Sequence, residues 1–316
     1  RPGLPLRLTG IKGPGFSDLA RSTVAQVYSQ VLDDLNFAET NLPLDYTGSS
    51  QATLRTTRAS RNTAIALKTR VYLSMQQYSN VITEANKICS QSAAPFKATS
   101  GVPDSLQANI QSVFTSYTTT ESIFSLPMTT TSGDNPGTQN QLGYYFSRST
   151  GNGEYSLNPV GIIANAGWTA GDKRRSFIAT VSGKTYLDKK YPTPSPYTDW
   201  APVIRYSEVM LNLAEALART GSGVDPRALA LLNAVRQRSD ASTTLAPAAQ
   251  QDLIDAIMLE RRIEFLGEGL RNNDLMRLLQ TIPAKGSAQA KASTDQGYIW
   301  PISSDELSLN HLMTDN

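Results

Sequence analysis

The sequence holds one histidine, His311, and one cysteine, Cys89, in 316 residues. Those two residues cannot assemble a tetrahedral Cys/His zinc site or an H-E-x-x-H helix. A haem axial ligand or a Ser-His-Asp triad would have to draw on His311, close to the C-terminus. A lone cysteine also forbids an internal disulfide, so a cysteine framework does not stabilise the fold. Charge is scarce too: 18% of residues are Asp, Glu, Lys or Arg and the net charge is +2, against about a quarter charged in an average globular protein. Ser, Thr, Asn and Gln make up the deficit. Basic residues are dispersed, with the densest run at Lys173-Arg174-Arg175, which is not the concentrated stripe of a nucleic-acid binder. No run approaches the ~18 apolar residues of a membrane span, and neither an initiator Met nor a signal peptide's apolar region opens the sequence. The chain therefore reads as an excised piece of something longer.

At ~150 residues per domain the length suggests about two domains, and 40% hydrophobic residues suffice for a large core. Helical periodicity dominates both ends. Val24, Val27, Tyr28, Val31, Leu35, Ala38 and Leu42 recur at three- and four-residue steps, and Pro43 stops that helix. A second stripe runs Ala64, Leu67, Val71, Met75; after a break at Gln76-Gln77 a third runs from Tyr78 to Cys89, and so short a turn requires an antiparallel pair. Further on, a stripe from Tyr206 to Leu217 ends at Gly221, and Asp225-Pro226 supplies an N-cap and first-turn proline for the next helix. A longer helix is expected from about Gln250 to Glu268, and a short one from Asp274 to Leu279. Alanines at the expected crossings give these pairs a tetratricopeptide-like character, without a constant 34-residue period. Residues 90–201 differ: they carry Thr runs, many Gly and Pro, short β-like stretches such as Ser122 to Leu126 and Phe177 to Val181, and most of the clustered aromatics. The expected fold is mainly α, a scaffold in two parts (1–89 and 202–316) within a single domain, interrupted by a loop-rich insertion at 90–201 that carries the ligand site.

Ser182-Gly183-Lys184-Thr185 looks like the end of a phosphate-binding loop, but Ile178 stands where that loop needs its first glycine, so a hairpin turn is the better reading. Glu260, Glu264 and Glu268 are spaced i, i+4, i+8 and interleave with Arg261, Arg262 and Arg271. Arg261 falls on the apolar stripe, where its guanidinium requires a carboxylate one turn away. A buried structural ion network of Glu260, Arg261, Glu264, Glu268 and Arg271 is expected, rather than catalysis. The loop aromatics sit among Gly, Asn, Asp and Thr, as in Gly143-Tyr144-Tyr145-Phe146 and Asn165-Ala166-Gly167-Trp168. Aromatic faces beside amides and hydroxyls suit a sugar ring, and they suit peptides as well.

Several C-terminal motifs occur in a recognisable order. Val203-Ile204-Arg205-Tyr206-Ser207-Glu208-Val209 leads to Asn212-Leu213-Ala214-Glu215-Ala216. Leu232-Asn233-Ala234-Val235-Arg236 follows, then Leu259-Glu260-Arg261-Arg262-Ile263-Glu264-Phe265 and Glu268-Gly269-Leu270-Arg271. Together with the closing Tyr298-Ile299-Trp300-Pro301-Ile302, Glu306-Leu307 and Asn310, this resembles the SusD/RagB family of Bacteroidota outer-membrane nutrient-binding lipoproteins. The resemblance implies a non-enzymatic surface protein without cofactor or metal. It would be lipid-anchored through an N-terminal region not present in this chain, and would pass glycan to a SusC-like TonB-dependent transporter. The expected ligand contacts are Tyr144, Tyr145, Tyr155 and Trp168, with Asn165 and Asp172 as hydrogen-bonding partners. A peptide ligand is the related alternative. Readings from other classes are a glycoside hydrolase using Asp172 with Glu154, and a helical scaffold for protein partners only.

Overall fold

The computed structural model describes residues 2–13, 18–131 and 140–316; residues 132–139 of the loop-rich insertion lie outside the described residues. The expected helices form as α1 (Val24–Asn41), α3 (Arg61–Ser74), α4 (Tyr78–Asn86), α7 (Tyr206–Thr220), α8 (Pro226–Ser239) and α9 (Gln250–Glu264), and the short helix expected from Asp274 to Leu279 begins and ends earlier, as α10 (Leu270–Arg277). Short helices α2 (Gln51–Thr57), α5 (Ile110–Thr115), α6 (Leu142–Phe146) and α11 (Ser304–Leu309) are additional. The described chain divides into two units, residues 38–273 and residues 1–37 with 274–316.

In the larger unit α7 is the central element, packed against α3, α4, α8 and α9. Its side chains are buried on every face, including Val209, Met210, Leu213 and Ala214. Asp225 caps α8 as its spacing requires, accepting from Ala228 N at 2.7 Å. The stripe expected on α3 is incomplete as a description, because that helix also buries Asn62, Lys68 and Thr69. Each has a partner. Lys68 is paired with Glu39 and, at 2.9 Å, with Glu84; Thr69 accepts from Asn212 Nδ2 at 3.0 Å; and Asn62 donates to Asp104 at 2.8 Å.

Two small sheets lie in the insertion and at its end. Strand β1 (Ser122–Leu126) pairs antiparallel with β4 (Ala201–Arg205), from Ser122 opposite Arg205 to Leu126 opposite Ala201. Strands β2 (Ala179–Val181) and β3 (Lys184–Tyr186) form the hairpin expected at Ser182-Gly183. Both turn residues have positive φ, 49° and 77°, as a two-residue turn matched to strand twist requires.

The glutamates of α9 do not share one helix face. The helix ends at Glu264, and Gly267 and Gly269, both at positive φ, turn the chain so that Glu268 leaves the helical line. All three carboxylates are nevertheless buried and paired. Glu264 accepts from Arg174 at 2.9 Å, Arg205 at 2.8 Å and Arg238 at 2.5 Å. Glu260 meets Arg174 and Arg236, at 2.6 and 2.7 Å. Glu268 holds Arg205 and Lys190, both at 2.8 Å. The expected cations are the part that changes. Arg261 donates to Asn212 Oδ1 at 2.6 Å and lies 3.9 Å from Glu215, while Arg271 is half-buried on α10. Glu121 and Asp172 complete the network, the first bonded to Arg205 and Arg238 and the second to Arg174. Burial opposes ionisation of Glu264, but Arg238, Arg205 and Arg174 hold its carboxyl well below the usual range.

Two stability predictions follow from these buried charges. Glu264→Gln leaves Arg174, Arg205 and Arg238 short of a counter-charge in a dry site, and a loss of about 3–5 kcal/mol is expected from urea denaturation. The second concerns Asp104, 1% exposed, whose carboxyl burial pushes up to about 7 from an ordinary 3.8, against the bond from Asn62. Because the folded pKa is the higher one, its contribution is full below about pH 4 and is lost as pH rises to 7. Asp104→Asn is expected to flatten the fall in urea midpoint between pH 5 and 8, and to be more stable than wild type at pH 8 by a few kcal/mol.

Candidate functional site

The segment from Leu142 to Tyr155 brings three of the expected aromatics together. Tyr144 and Tyr145 project from α6, and the chain returns after Gly153 to place Tyr155 beside them. The rings of Tyr145 and Tyr155 stack with centroids 5.2 Å apart and planes 14° apart. Tyr144 meets Tyr145 edge-on at 5.2 Å and Tyr197 edge-on at 5.8 Å. Tyr155 is 49% exposed, and Tyr144 and Tyr145 are half-buried. A cluster of phenol rings with a solvent-facing member thus stands on the surface of the larger unit.

Backbone bonds fix this loop. Asn152 N and Gly153 N both donate to Tyr144 O, at 2.8 and 3.1 Å, and Tyr155 N donates to Tyr145 O at 3.1 Å. The return requires a glycine at 151, since a Cβ there would lie 2.3 Å from Gly143 O. Asp188, 6% exposed, accepts from Arg148 N at 2.6 Å, Ser149 N at 2.8 Å and Ser147 Oγ at 3.2 Å. Burial opposes its charge, but these donors hold its carboxyl below the ordinary value. Polar groups edge the rings: Asn152 Nδ2 donates to Glu154 Oε1 at 2.8 Å, and Arg148 donates to Asn152 O at 3.1 Å. Burial first and then the charge of Glu154 raise the pKa of Tyr145. The arrangement offers apolar ring faces together with amide, carboxylate and guanidinium groups that can hydrogen-bond.

The remaining expected contacts are elsewhere and are corrected. Trp168 is 2% exposed, packed with Ile162 and Ile263, and its ring is covered by the Arg175 guanidinium at 4.5 Å. No face is left for a sugar. Asp172 is equally enclosed: it caps a 3-10 turn through Arg174 N at 2.9 Å and pairs with the Arg174 side chain at 2.6 Å. It therefore belongs to the ion network rather than to a ligand. Asn165, half-buried, accepts from Gly167 N at 2.9 Å and so shapes the turn that leads to Trp168. The carboxylate pair Asp172 and Glu154 is not formed either, since Glu154 is an exposed loop residue and Asp172 is locked by Arg174. Ile162, Ile163 and Ile178, which pack around Trp168, are a signal of burial that its Asn and Gly neighbours obscured.

Sequence reasoning also passed over a second stacked pair, Tyr117 and Trp200, with centroids 5.1 Å apart and planes 11° apart. Tyr117 donates to Asp199 at 2.9 Å, and Asp199 also accepts from Thr193 N at 2.9 Å. These residues are 83 positions apart in the chain, so no local pattern pairs them. Among the described residues no group of three or more His, Cys, Asp and Glu side chains is placed to hold a metal ion.

The model of the SusD family matches residues 139–316. A SusD superfamily protein from Bacteroides fragilis is 30% identical, covers 99% of this chain, is itself covered over 68% of its length, and superposes with a TM-score of 0.79. A second, from Bacteroides thetaiotaomicron VPI-5482, is 24% identical with a TM-score of 0.79, the match covering 100% of this chain and 71% of that one. A laminarin-binding SusD-like protein shares the fold at 22% identity and a TM-score of 0.72, over 99% of this chain and 73% of its own. No curated protein matches the sequence. With a family model over more than half its length and a 30% identical relative across nearly all of it, the chain belongs to the SusD family.

Proposed function

We propose that this chain binds glycan at the cell surface, without turning it over, and delivers it to a TonB-dependent outer-membrane transporter. The observation that carries the reading is the braced tyrosine cluster: Tyr145 stacked on Tyr155, with Tyr144 edge-on and Asn152, Glu154 and Arg148 at the rim. A sugar presents an apolar C–H face and a ring of hydroxyls, and this cluster offers the complement of both. Membership of the SusD family and likeness to a laminarin-binding protein support glycan as the ligand class. Among the described residues no helix is long and apolar enough to cross a membrane. Attachment to the outer membrane through a lipidated segment is part of the proposal and is supported by membership of the SusD family.

Calorimetric titration with laminarin and a panel of neutral oligosaccharides tests the assignment. Tyr155→Ala is expected to weaken binding about ten-fold, about 1.4 kcal/mol, and Tyr145→Ala at least as much. Trp168→Ala would act through folding, lowering the melting temperature rather than affinity per folded molecule. Unchanged affinity in both tyrosine variants would remove the site from this surface. Binding of peptides with no response to any glycan would select the peptide alternative.

A further inference from the structure

Asp104 is 1% exposed and has no ion-pair partner among the described residues. Asp188 and Asp199 lack one too, but each gathers three donors from the protein. Asp104 has a single side-chain donor, Asn62 Nδ2, which lies 2.8 Å from its Oδ2. That amide is itself divided, because its two protons also serve Val102 O at 2.9 Å and Ser100 O at 3.3 Å. Oδ1 receives no hydrogen bond among the described residues. A buried polar atom left in that state is costly unless something outside the chain meets it.

Asp104 lines a cavity of about 120 Å³ that lies between α2, residues 102–104 and the segment 118–122 leading into β1. The hydroxyls around it have little left to donate. Thr56 Oγ1 donates to Ala52 O, Thr118 Oγ1 to Ser116 O and Thr120 Oγ1 to Ser105 O, each at 3.3 Å, while Thr119 and Ser122 share a bond at 3.1 Å. What these oxygens hold out is lone pairs. Arg55 also lines the cavity, but Asp45 takes its Nε at 2.6 Å and its Nη2 as well. That pair is neutral, so the ionised Asp104 gives the site one net negative charge. Ala52, Val102 and Pro103 make the rest of the wall apolar, and a charge acts strongly beside such a wall.

A cavity lined by acceptors and carrying one uncompensated charge suits a cation, and its size and charge restrict which. Pockets for drug-sized ligands run to roughly 300–1,000 Å³, so this one has room for a small ion and a few waters. Calcium takes about six to eight oxygens, often from several carboxylates. Here Asp104 is the one carboxylate on the wall, with a guanidinium beside it. We propose that the cavity binds one small monovalent cation, an alkali ion or the ammonium head of a ligand, on the Asp104 carboxylate and the hydroxyl oxygens of Thr56, Thr118, Thr119 and Ser122. The bound cation ties α2 to the start of β1. This inference does not rest on the glycan reading and can fail without it.

Melting curves at pH 8, where the carboxyl is ionised, compare sodium, potassium, methylammonium and tetramethylammonium chlorides at equal ionic strength. Tetramethylammonium screens charge but keeps its own behind four methyl groups, so it sets the baseline. Relative to it, sodium or potassium at about 0.2 M is expected to raise the melting temperature by about 2–4 °C and to slow hydrogen exchange in residues 118–122. Asp104→Asn, uncharged and of the same shape, is expected to lose the whole response. Thr119→Val keeps the carboxylate and is expected to weaken cation affinity about three-fold. Titration with the thallous ion, followed by thallium NMR, counts one site per chain without reference to stability. A response to methylammonium alone identifies an ammonium-bearing ligand, and a response to the alkali ions a free ion. Equal melting temperatures in all four salts would overturn the proposal, as would a response that persists in Asp104→Asn. So would calcium acting at micromolar concentration where potassium needs millimolar, because the site would then be a divalent one.

Discussion

The guanidinium of Arg205 is the point on which the larger unit depends. It bonds Glu121, Glu264 and Glu268 together with Ser207 Oγ and the Glu264 carbonyl, and it is 1% exposed. Around it the carboxylates of Glu121, Asp172, Glu260, Glu264 and Glu268 meet the cations of Arg174, Lys190, Arg205, Arg236 and Arg238, so a desolvated group of charges is balanced one for one. Apolar residues of similar volume could stabilise such a site as well or better. What apolar residues cannot do is demand one geometry. A planar fork bonded to three carboxylates tolerates no slip of α9 against β4, whereas leucines would.

That demand reaches the surface through a short series of contacts. Lys190 donates to Glu268 at 2.8 Å and to Leu266 O at 2.7 Å, which pins the segment from Leu187 to Tyr191 against the turn after α9. The fit is close: a Cβ on Gly267 would lie 2.4 Å from Leu187 Cδ1. From this segment Asp188 gathers the amides of Arg148 and Ser149, and Tyr191 packs against Phe146, with centroids 5.9 Å apart. Phe146 in turn meets Tyr155 at 5.6 Å. A loop carrying two adjacent tyrosines is thus held by the interior ion network. A ligand surface built this way loses little conformational entropy when occupied.

The same wiring explains which features were legible in the residues. Helix periods, the Pro43 stop, the Asp225 cap and the Ser182-Gly183 turn are local, and spacing reveals them. The burial of Glu260 and Glu264 was also legible, because carboxylates on an apolar stripe must be paired. Their partners were not, since Arg174 and Arg205 lie 86 and 59 positions away from them, and only the fold brings them in. A helix continuing to Glu268 agreed with periodicity; the positive φ values at Gly267 and Gly269 overrode it. Trp168 failed for a related reason. Its polar neighbours suggested a surface loop, yet Asn165 spends its side chain on a turn and Arg175 covers the ring, so the segment folds inward. Tyr144 and Tyr145 adjoin in sequence and the return to Tyr155 is short, so local spacing alone suffices to bring these three rings together.

The shortage of charge takes on a different meaning once burial is known. Among the described residues eighteen charged ones are buried, among them Lys68, Asp104, Arg174 and Glu260, although charged residues seldom enter a core unless paired. A sequence already poor in charge therefore places part of it inside, and its outer surface is poor in charge as well. Long-range steering of a charged ligand is weak on such a surface. A neutral ligand incurs no penalty there from stripping water off unpaired ions. On such a surface ring stacking and short polar contacts, which act only at close range, are the interactions open to a neutral ligand. Such a surface favours a ligand that is neutral and rich in hydroxyls. The charges that hold the loops in place, such as Glu268, Lys190 and Arg205, are thus withdrawn into the interior, and the face that the loops present keeps only rim charges such as Arg148 and Glu154.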